Sequence, residues 1–412
     1  MNRRQFIKDL VAMAALAPVT RIAAKAGADG DKSSDILEGL QVTRRPFRNT
    51  AQTVPLLGFG CMRLPTLEGG KIDIATVRKM VERAMKAGCN YFDTAYMYHG
   101  GQSERCMGEV LKAYPRDSFY LTDKMPVWSA QDAAGVERIF KEQLERCQTE
   151  YFDFYLVHSL NKANWDLAQK FKAYEFLSQM KKEGKIRRLG FSFHDTPEVL
   201  KTIIQSHEWD FCQIQLNYLD WDLYRSREQY EIAAEAGVPL VIMEPLRGGV
   251  LASLSPDATD ILKKANPEAS AASWAFRFVG SLPNVMCILS GMTRPEHLED
   301  NIKTFSPLKP LTNDERKVLD EALLAYRKKL AVPCTACRYC MPCPFGVQIP
   351  RIFGIYNQYK ASGNRWQFNS HYNSLPKSGR ADSCVGCRRC VQHCPQKIQI
   401  PEMLAKIAQE VK

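Results

Sequence analysis

From residue 41 onward, short apolar runs alternate with stretches whose apolar residues recur at helical spacing. Eight runs indicate buried strands: 56–59, 91–93, 119–124, 154–158, 188–192, 211–215, 240–244 and 287–290. The stretches that indicate amphipathic helices include 76–87, 136–147, 167–182 and 224–236. Strands that alternate with helices form parallel sheets, and eight such units over about 270 residues favour a (β/α)8 barrel. An open doubly wound sheet is disfavoured, because no G-x-G-x-x-G turn follows the first strand.

Polar residues stand at the ends of the predicted strands. Every strand after the first ends in polar or ionisable residues: Asp93, Lys124, His158, Ser192, Gln213 with Gln215, Glu244 and Ser290. In (β/α)8 barrels the carboxyl ends of the strands meet at one face, where active sites are built. One shared site explains this repetition better than separate accidents do. The pattern therefore predicts an active site at that face.

The stretch 90–104, NYFDTAYMYHGGQSE, is the strongest single candidate for chemistry. Its strand residues Tyr91 and Phe92 lead directly to the carboxylate of Asp93, and the phenol of Tyr98 follows just before two glycines. A glycine-rich loop of this kind can bend around a ligand. Taken alone, an Asp and a Tyr at a strand end are more often a helix cap and a surface aromatic. The prediction of an active site therefore depends largely on the polar residues at the other strand ends.

Composition and charge narrow the class of protein. At 412 residues, the chain suits a barrel with a second, smaller domain. A hydrophobic fraction of 45% and a charged fraction of 25% are ordinary for globular proteins. No apolar run is long enough for a permanent transmembrane helix. The net charge of +11 is concentrated towards the two ends of the chain and is accompanied by no groove-reading motif, which argues against nucleic-acid binding.

Residues 1–26 have the layout of a signal peptide: a basic start, a modest apolar stretch and a segment of small residues. Arg3 and Arg4, with the residues after them, resemble a twin-arginine signal, whose export machinery carries folded proteins. Cleavage after Ala26 would leave residues 27–40, rich in Gly, Asp and Ser, as a flexible mature N-terminus. We therefore expect a periplasmic or other extracytoplasmic location. A basic amphipathic helix in a cytoplasmic protein is the alternative.

The 14 cysteines fall into two groups. Six are scattered in apolar or helical contexts, where each is expected to be a small buried hydrophobe: Cys61, Cys89, Cys106, Cys147, Cys212 and Cys287. The other eight form two short runs beyond a predicted linking helix at 311–333, for which Thr312 or Asn313 is the expected N-cap. The sequence thus predicts a barrel domain at 41–310 and a second domain at 334–412.

The two runs have the spacing of iron–sulfur ligands. The first is Cys-x2-Cys-x2-Cys-x2-Cys-Pro, and the second is Cys-x2-Cys-x2-Cys-x3-Cys-Pro. Three cysteines at x2 intervals wrap one cubane, and the cysteine before the proline usually points to a second cluster. By analogy with two-cluster ferredoxins, two 4Fe-4S clusters are expected, one held by Cys334, Cys337, Cys340 and Cys394, the other by Cys384, Cys387, Cys390 and Cys343. Two zinc sites are the alternative, although these normally use pairs of cysteines, and the tight triplets disfavour disulfides.

Residues 41–306 resemble the aldo-keto reductase family. The resemblance is carried by the segments 58–65, 92–95, 155–158 and 295–301, together with Tyr98 and Lys124. It implies an α/β (β/α)8 TIM barrel that reduces a small carbonyl compound, or oxidises the alcohol, with a nicotinamide cofactor. A subgroup of the family carries an appended two-cluster ferredoxin module, which residues 333–344 also resemble. The expected architecture is therefore a barrel with a small C-terminal α-helical, ferredoxin-like iron–sulfur domain.

The resemblance places the catalytic residues at Asp93, Tyr98, Lys124 and His158, and it leaves Tyr96 as a pocket-lining or structural residue together with His99. These roles make physical sense. A free phenol has a pKa of about 10, and a nearby ammonium such as that of Lys124 stabilises its anion. Asp93 would hold Lys124 in place, His158 would orient the substrate carbonyl, and Tyr98 would act as the general acid.

The resemblance is weaker at the cofactor positions. It assigns eight residues to the nicotinamide cofactor: Ser192, Gln213, Met243, Arg247, Gly248, Ser290, Arg294 and Asn301. Met243 stands where many family members stack an aromatic ring, although a thioether can also pack against a ring face. Arg294 is the expected partner of a 2′-phosphate, which favours NADP(H) over NAD(H).

Two functions are consistent with the sequence. The first is an oxidoreductase that acts on a small carbonyl or alcohol, and the second is an exported electron-transfer or binding protein whose barrel no longer turns over carbonyls. Basic residues outnumber acidic ones around the cysteine runs, which suggests docking with an acidic redox partner. A hydride carries two electrons, whereas a 4Fe-4S cubane usually takes one. Direct electron exchange between the nicotinamide and the clusters would therefore need a flavin-like group that converts two-electron into one-electron steps.

Overall fold

A computed structural model gives the structure of the chain, and it describes residues 39–48, 50–223, 225–328, 331–332, 334, 340–363, 365–394 and 398–411. Three sequence predictions lie wholly or largely outside the described residues: the signal peptide at 1–26, the flexible N-terminus at 27–40 (of which only 39 and 40 are described), and the cluster ligand Cys337. No helix in the described ranges is both long and apolar enough to cross a membrane.

Eight parallel strands close into a barrel, which confirms the predicted fold class. An antiparallel hairpin of β1 and β2 precedes them. The strands in chain order are β1 Arg44–Pro46, β2 Thr53–Pro55, β3 Leu57–Gly60, β4 Tyr91–Asp93, β5 Tyr120–Met125, β6 Phe152–Leu160, β7 Ile186–Phe193, β8 Phe211–Gln215, β9 Leu240–Met243 and β10 Val285–Ser290. Barrel strands that are consecutive in sequence pair with each other, and β10 pairs with β3 to close the ring, with Ile288 opposite Leu57.

Helices follow the strands around the barrel. They are α1 Ile74–Lys86, α2 Gln102–Leu111, α3 Ala133–Arg146, α4 Lys162–Lys170, α5 Ala173–Lys182, α6 Pro197–Ser206, α7 Asp220–Leu223, α8 Ser226–Glu235, α9 Pro256–Ala265, α10 Ala271–Gly280, α11 Pro295–Phe305 and α12 Asn313–Lys328. The predicted single helix at 167–182 is instead the end of α4 and the whole of α5. The chain breaks there because Lys172 takes a left-handed conformation with φ of 53°.

Helix α3 shows why these segments are helical. The Asp132 side chain accepts a hydrogen bond from the Gly135 N–H and so caps the first turn. Val136, Ile139, Phe140 and Gln143 are all buried. Their spacing of three and four residues places them on one face of the helix, which therefore packs against the barrel wall.

The β1–β2 hairpin, which the apolar pattern did not predict, lies at the end of the barrel where the strands begin. Phe47 from the hairpin turn enters the barrel core, with its ring centroid 5.8 Å from that of Phe154 on β6. The Arg45 guanidinium donates to the backbone carbonyls of Leu282, Gly280 and Val285, the first at 2.8 Å. The hairpin therefore closes the end of the barrel opposite the predicted active site.

The predicted linking helix is α12, and its start is a capping box. The Thr312 hydroxyl accepts a hydrogen bond from the Glu315 N–H at 3.2 Å, and the Glu315 carboxylate accepts one from the Thr312 N–H at 2.9 Å. Of the two expected N-caps, Thr312 is therefore the one used. Of the predicted segment 311–333, residues 329, 330 and 333 lie outside the described residues.

The C-terminal region is helical and has its own hydrophobic core. Its helices are α13 Ile349–Ser362, α14 Arg365–Asn373, α15 Arg389–Gln392 and α16 Ile400–Val411. Phe353 and Tyr356 of α13, Phe368 of α14 and Leu404 of α16 are buried together. The residues of this core come from before, between and after the two cysteine runs in the sequence, and Cys343, Cys384, Cys390 and Cys394 pack against it.

The six scattered cysteines are buried, as predicted. Each has an exposed fraction of 4% or less: Cys61, Cys89, Cys106, Cys147, Cys212 and Cys287. Burial also raises the pKa of each of these thiols, so they stay protonated at neutral pH.

We predict that Phe47→Ala lowers the free energy of unfolding by about 3 kcal/mol, because it leaves a cavity at the closed end of the barrel. Urea denaturation followed by tryptophan fluorescence measures the change. Leu324→Ala is the matched control, since Leu324 is 58% exposed and its truncation should cost less than about 0.5 kcal/mol. Equal stability of the two variants would contradict the role of Phe47.

Candidate active site

Three neighbouring strands bring the predicted catalytic side chains together. Asp93 ends β4, Lys124 lies near the end of β5, and His158 lies near the end of β6. The register places Asp93 opposite Thr122, two residues before Lys124, so both side chains lie at the carboxyl end of the strands. Asp93 and Lys124 are 2% and 0% exposed.

Lys124 is the centre of the site. Its Nζ donates to Asp93 Oδ1 at 2.5 Å and to the backbone carbonyl of Thr94 at 2.6 Å. It also lies 3.4 Å from the Tyr98 hydroxyl and 4.8 Å from the centre of the Tyr98 ring. An ammonium buried this deeply is stable only when its partners are close and well oriented.

Lys124 and Asp93 each favour the charged form of the other. Burial disfavours the charged form of Lys124, but the Asp93 carboxylate and the Tyr98 phenol outweigh burial and raise the pKa of Lys124. Burial raises the pKa of Asp93, and the Lys124 ammonium opposes that shift. Lys124 is therefore a fixed positive charge beside Tyr98.

The loop after β4 aims the Tyr98 hydroxyl at Lys124. His99, Gly100 and Gly101 all have positive φ values, of 51°, 64° and 86°, so the chain turns sharply directly after Tyr98. Burial raises the pKa of the Tyr98 phenol, and Lys124 offsets only part of the increase. The phenol is therefore protonated at neutral pH, while the ammonium beside it stabilises the anion that proton transfer would create.

His158 provides a neutral imidazole. Burial lowers the pKa of His158 well below its ordinary value, and the charges of Lys124 and His194 lower it further. Its ring centroid lies 6.3 Å from that of Tyr98 and 5.2 Å from that of Trp128. A neutral imidazole in this position can donate one hydrogen bond to a ligand without adding charge.

Tyr96 and His99 have structural roles. The Tyr96 hydroxyl donates to Glu142 Oε2 at 2.8 Å, and the Arg146 guanidinium lies 4.2 Å from the ring centre. The His99 Nε2 accepts a hydrogen bond from the Leu64 N–H at 3.2 Å. Both side chains therefore fasten the Tyr98 loop to neighbouring segments.

Several residues assigned to the cofactor lie on the next strands of the same face. The Ser192 hydroxyl on β7 accepts a hydrogen bond from the Ser159 N–H at 2.6 Å. The Oε1 atom of Gln213 on β8 is buried and has no hydrogen-bond partner among the described residues. Asn301 on α11 donates to the hydroxyl of Ser290, which ends β10, at 2.9 Å.

The remaining cofactor candidates lie at the rim. The half-buried side chain of Met243 ends β9. The Arg247 guanidinium forms an ion pair with the buried Asp220 carboxylate, with Nε 3.1 Å from Oδ1, and Gly248 follows with φ of 66°. Arg294 is the N-cap residue of α11, and its exposed guanidinium contacts His297 at 3.4 Å.

Some residues of the site were not predicted. Trp128, in a short 3-10 helix directly after β5, forms a wall beside His158. The Thr94 carbonyl binds Lys124, and the Arg63 guanidinium approaches the Glu244 carboxylate to 3.9 Å beside Gly248. Trp128 could have been found as an aromatic that follows a strand end, whereas a backbone carbonyl leaves no signal in residue types.

Four cysteines predicted to share one cluster lie near one another. Burial raises the pKa of the Cys390 thiol, and Cys384, Cys387 and Cys343 each raise it further through their charges. No three His, Cys, Asp or Glu side chains in the described ranges converge closely enough to hold one metal ion. A zinc ion needs its thiolates to converge on one point, whereas a four-iron cubane binds four cysteines around its corners. The donor set consists of thiols alone, and Cys384, Cys387 and Cys390 have the x2 spacing that a cubane uses.

Comparisons with known families agree with both parts of the chain. The family model described as the aldo/keto reductase family matches residues 56–323. The model of a 4Fe-4S dicluster domain matches residues 333–398.

Individual relatives are distant but cover the barrel. L-galactose dehydrogenase of Arabidopsis thaliana is 25% identical over 317 residues, which span 71% of this chain and 98% of that protein. The NADH-specific methylglyoxal reductase of Escherichia coli is 22% identical and covers 63% of this chain and 93% of its own length.

Solved structures give the same picture. The holo form of an aldo-keto reductase from Bacillus halodurans is 25% identical with a TM-score of 0.58, and the match covers 68% of this chain and 96% of that one. An aldo-keto reductase from Klebsiella pneumoniae in complex with NADPH is 22% identical with a TM-score of 0.55, over 72% and 96% of the two chains.

We predict that Asp93→Asn lowers the free energy of unfolding by about 3 kcal/mol, because it leaves the buried Lys124 ammonium without its carboxylate. Asp166→Asn is the matched control: it removes the partner of Lys162 from an exposed pair and should cost less than about 1 kcal/mol. Urea denaturation at neutral pH measures both variants. If the two variants lost the same amount, the Lys124–Asp93 pair would not be the stabilising contact described above.

Proposed function

The chain belongs to the aldo/keto reductase family of oxidoreductases, and on that basis we propose that it reduces a small carbonyl compound, or oxidises the corresponding alcohol, with a nicotinamide cofactor. The observation that carries the proposal is the buried Lys124 ammonium, which lies between Asp93 Oδ1 and the Tyr98 hydroxyl. Because Lys124 is fully buried, its ammonium takes no part in contacts at the protein surface. A proton-transfer site explains why a charged group lies at this depth.

Tyr98 gives its proton to the carbonyl oxygen as the general acid. Lys124 stabilises the phenolate that remains, and Asp93 with the Thr94 carbonyl keeps the ammonium in position. His158, which is neutral, donates a hydrogen bond that orients the substrate oxygen towards Tyr98. In the reverse direction, the phenolate accepts the proton of the alcohol. A nicotinamide cofactor bound beside these residues would supply or accept the hydride, because none of these side chains can do so.

Residues on the same face would hold the cofactor. The buried Oε1 atom of Gln213 has no partner among the described residues and suits an amide N–H of the nicotinamide carboxamide. Ser192 lies on the adjacent strand, and the Ser290–Asn301 pair with Gly248 and Met243 lines the remaining strand ends. Arg247 is already paired with Asp220, so it would stabilise the loop that covers the pyrophosphate more than the phosphates themselves.

We propose NADP(H) as the preferred cofactor, with NAD(H) as the alternative. The relatives include a reductase named NADH-specific and a structure bound to NADPH, so both cofactors occur among similar proteins. The preference here rests on Arg294, whose exposed guanidinium stands at the start of α11 and can contact a 2′-phosphate. Trp128 beside His158 favours a small substrate with one apolar side.

The C-terminal region would hold two 4Fe-4S clusters. Cys384, Cys387, Cys390 and Cys343 would bind one, and the other three each raise the pKa of the Cys390 thiol through their charges. Cys334, Cys340 and Cys394 would bind the other with Cys337, which lies outside the described residues. These clusters would carry single electrons or stabilise the region. We also propose twin-arginine export of the folded protein and docking of an acidic redox partner on the basic C-terminal region.

We predict that Tyr98→Phe lowers kcat/KM for carbonyl reduction by at least about a hundredfold, because the general acid is lost. NADPH binding, measured by fluorescence quenching, should be unchanged. The matched control is Tyr174→Phe, which removes an exposed hydroxyl that donates to the Glu208 backbone carbonyl and should leave turnover close to wild type. Full turnover by Tyr98→Phe would refute the role of Tyr98. Absence of turnover in the wild type would instead favour a barrel that only binds.

We predict that Cys390→Ala loses about four of eight iron atoms per chain, because it removes one ligand of one cubane. Iron and acid-labile sulfide are measured after anaerobic purification, with visible absorbance and EPR. Cys212→Ala, in the barrel, is the control and should keep the full iron content. Stoichiometric zinc in the wild type, with no iron, would contradict the assignment.

A further inference from the structure

A second set of polar groups lies directly behind Lys124, on the outer side of β5. Asp123 precedes Lys124 on this strand, and side chains alternate between the two faces of a strand. The Lys124 side chain points into the barrel, so the Asp123 side chain points towards α2 and α3. Asp123, Glu104 of α2 and Gln143 of α3 are all 0% exposed.

These side chains hold the backbone of Lys124 on both sides. The Lys124 N–H donates to Asp123 Oδ1 at 2.8 Å, and the Lys124 carbonyl accepts from Gln143 Nε2 at 3.1 Å. The same Gln143 Nε2 donates to Glu104 Oε1 at 3.0 Å. The Tyr155 hydroxyl from β6 donates to Gln143 Oε1 and thus fixes which way the amide faces.

The charges around this set leave one carboxyl without a cation. Glu104 Oε2 accepts a hydrogen bond from Arg146 Nη1 at 3.0 Å, and Lys124 is already paired with Asp93. The other titratable groups near Asp123 are the Cys147 thiol, which donates to Asp123 Oδ2 at 3.6 Å, and the buried Tyr155 phenol. Two buried carboxyl groups that share one guanidinium cannot both ionise at modest energetic cost.

The electrostatics select which carboxyl keeps the proton. Burial and the charge of Glu104 raise the pKa of Asp123 well above its ordinary value, and they outweigh the Lys124 N–H bond and the Lys124 charge, which lower it. Glu104 has Arg146 as its counter-ion, so Glu104 is the charged member. Asp123 is then the neutral donor.

We propose that Asp123 is a proton-carrying positioning residue. It keeps its proton, donates a hydrogen bond to Glu104 and, with Gln143, fixes the Lys124 backbone so that the ammonium faces Tyr98. This role rests on the proposed function of Lys124. The protonation of Asp123 does not rest on that proposed function, so the protonation and the positioning role can be tested separately.

The protonation is tested by stability against pH, with the conservative variant Asp123→Asn. A carboxyl whose pKa is raised by folding stabilises the folded state at low pH and loses that contribution as the pH rises towards the folded pKa. The unfolding equilibrium constant of the wild type, divided by that of Asp123→Asn, should therefore increase tenfold per pH unit above about pH 4. A ratio that stays constant, or that decreases with pH, would overturn the proposal.

Glu198→Gln serves as the control for this measurement. Hydrogen bonds from Arg225 lower the pKa of Glu198 to about 2, so its effect is confined to acidic pH. The unfolding equilibrium constant of the wild type, divided by that of Glu198→Gln, should be constant above about pH 5. An infrared difference spectrum at pH 7, wild type minus Asp123→Asn, should independently show the C=O stretch of a protonated carboxyl. Carboxylate bands in its place would overturn the proposal.

Positioning is tested by the kinetics of two variants. Asp123→Ala removes the acceptor of the Lys124 N–H and should lower kcat between about tenfold and a hundredfold, with the NADPH dissociation constant unchanged. Asp123→Asn keeps the acceptor and should restore kcat. Equal impairment of the two variants, or unimpaired Asp123→Ala, would overturn the positioning role. A wild type that turned over no carbonyl would refute the proposed function, whereas the stability and infrared measurements would still decide whether Asp123 carries a proton.

Discussion

The site depends on one constraint, which is that the Lys124 ammonium must be kept charged inside a barrel. Removing a charge from water costs several kcal/mol unless close partners replace the solvent. Asp93, the Thr94 carbonyl and the face of the Tyr98 ring do so from β4 and the loop that follows it. Because the partners come from a neighbouring strand, the charge is stable only after β4 and β5 have paired in the observed register.

Much of the fold could be predicted because parallel strands buried on both faces leave a clear apolar signal. The segments 91–93 and 211–215 have the predicted bounds, and the other barrel strands differ by a few residues at their ends. The β1–β2 hairpin was missed because its strands are short and carry few apolar residues. The break at Lys172 was missed because a left-handed lysine has no signature in the sequence.

Residues of the candidate site could be predicted where the chemistry of the side chain itself indicates its role. They were harder to predict where the role depends on which residues pack against the side chain. Asp93, Tyr98, Lys124 and His158 could be assigned from position and family resemblance. The pairing of Arg247 with Asp220 depends on a contact between the segment after β9 and the start of α7, which no local pattern reveals. The sign of the Tyr98 pKa shift depends on how far burial outweighs Lys124, which only the packed structure determines.

The seam between β3 and β10 has a consequence for synthesis. Leu57 of β3 pairs with Ile288 of β10, so the first barrel strand lacks one of its neighbours until the last strand has been synthesised. Before that point the sheet has two open edges. The seam is also tightly packed, because a Cβ atom on Gly58 would lie 2.7 Å from the Cys287 sulfur. A nascent chain therefore completes its barrel only shortly before the cysteine runs are made, which places ring closure and cluster assembly next to each other in time.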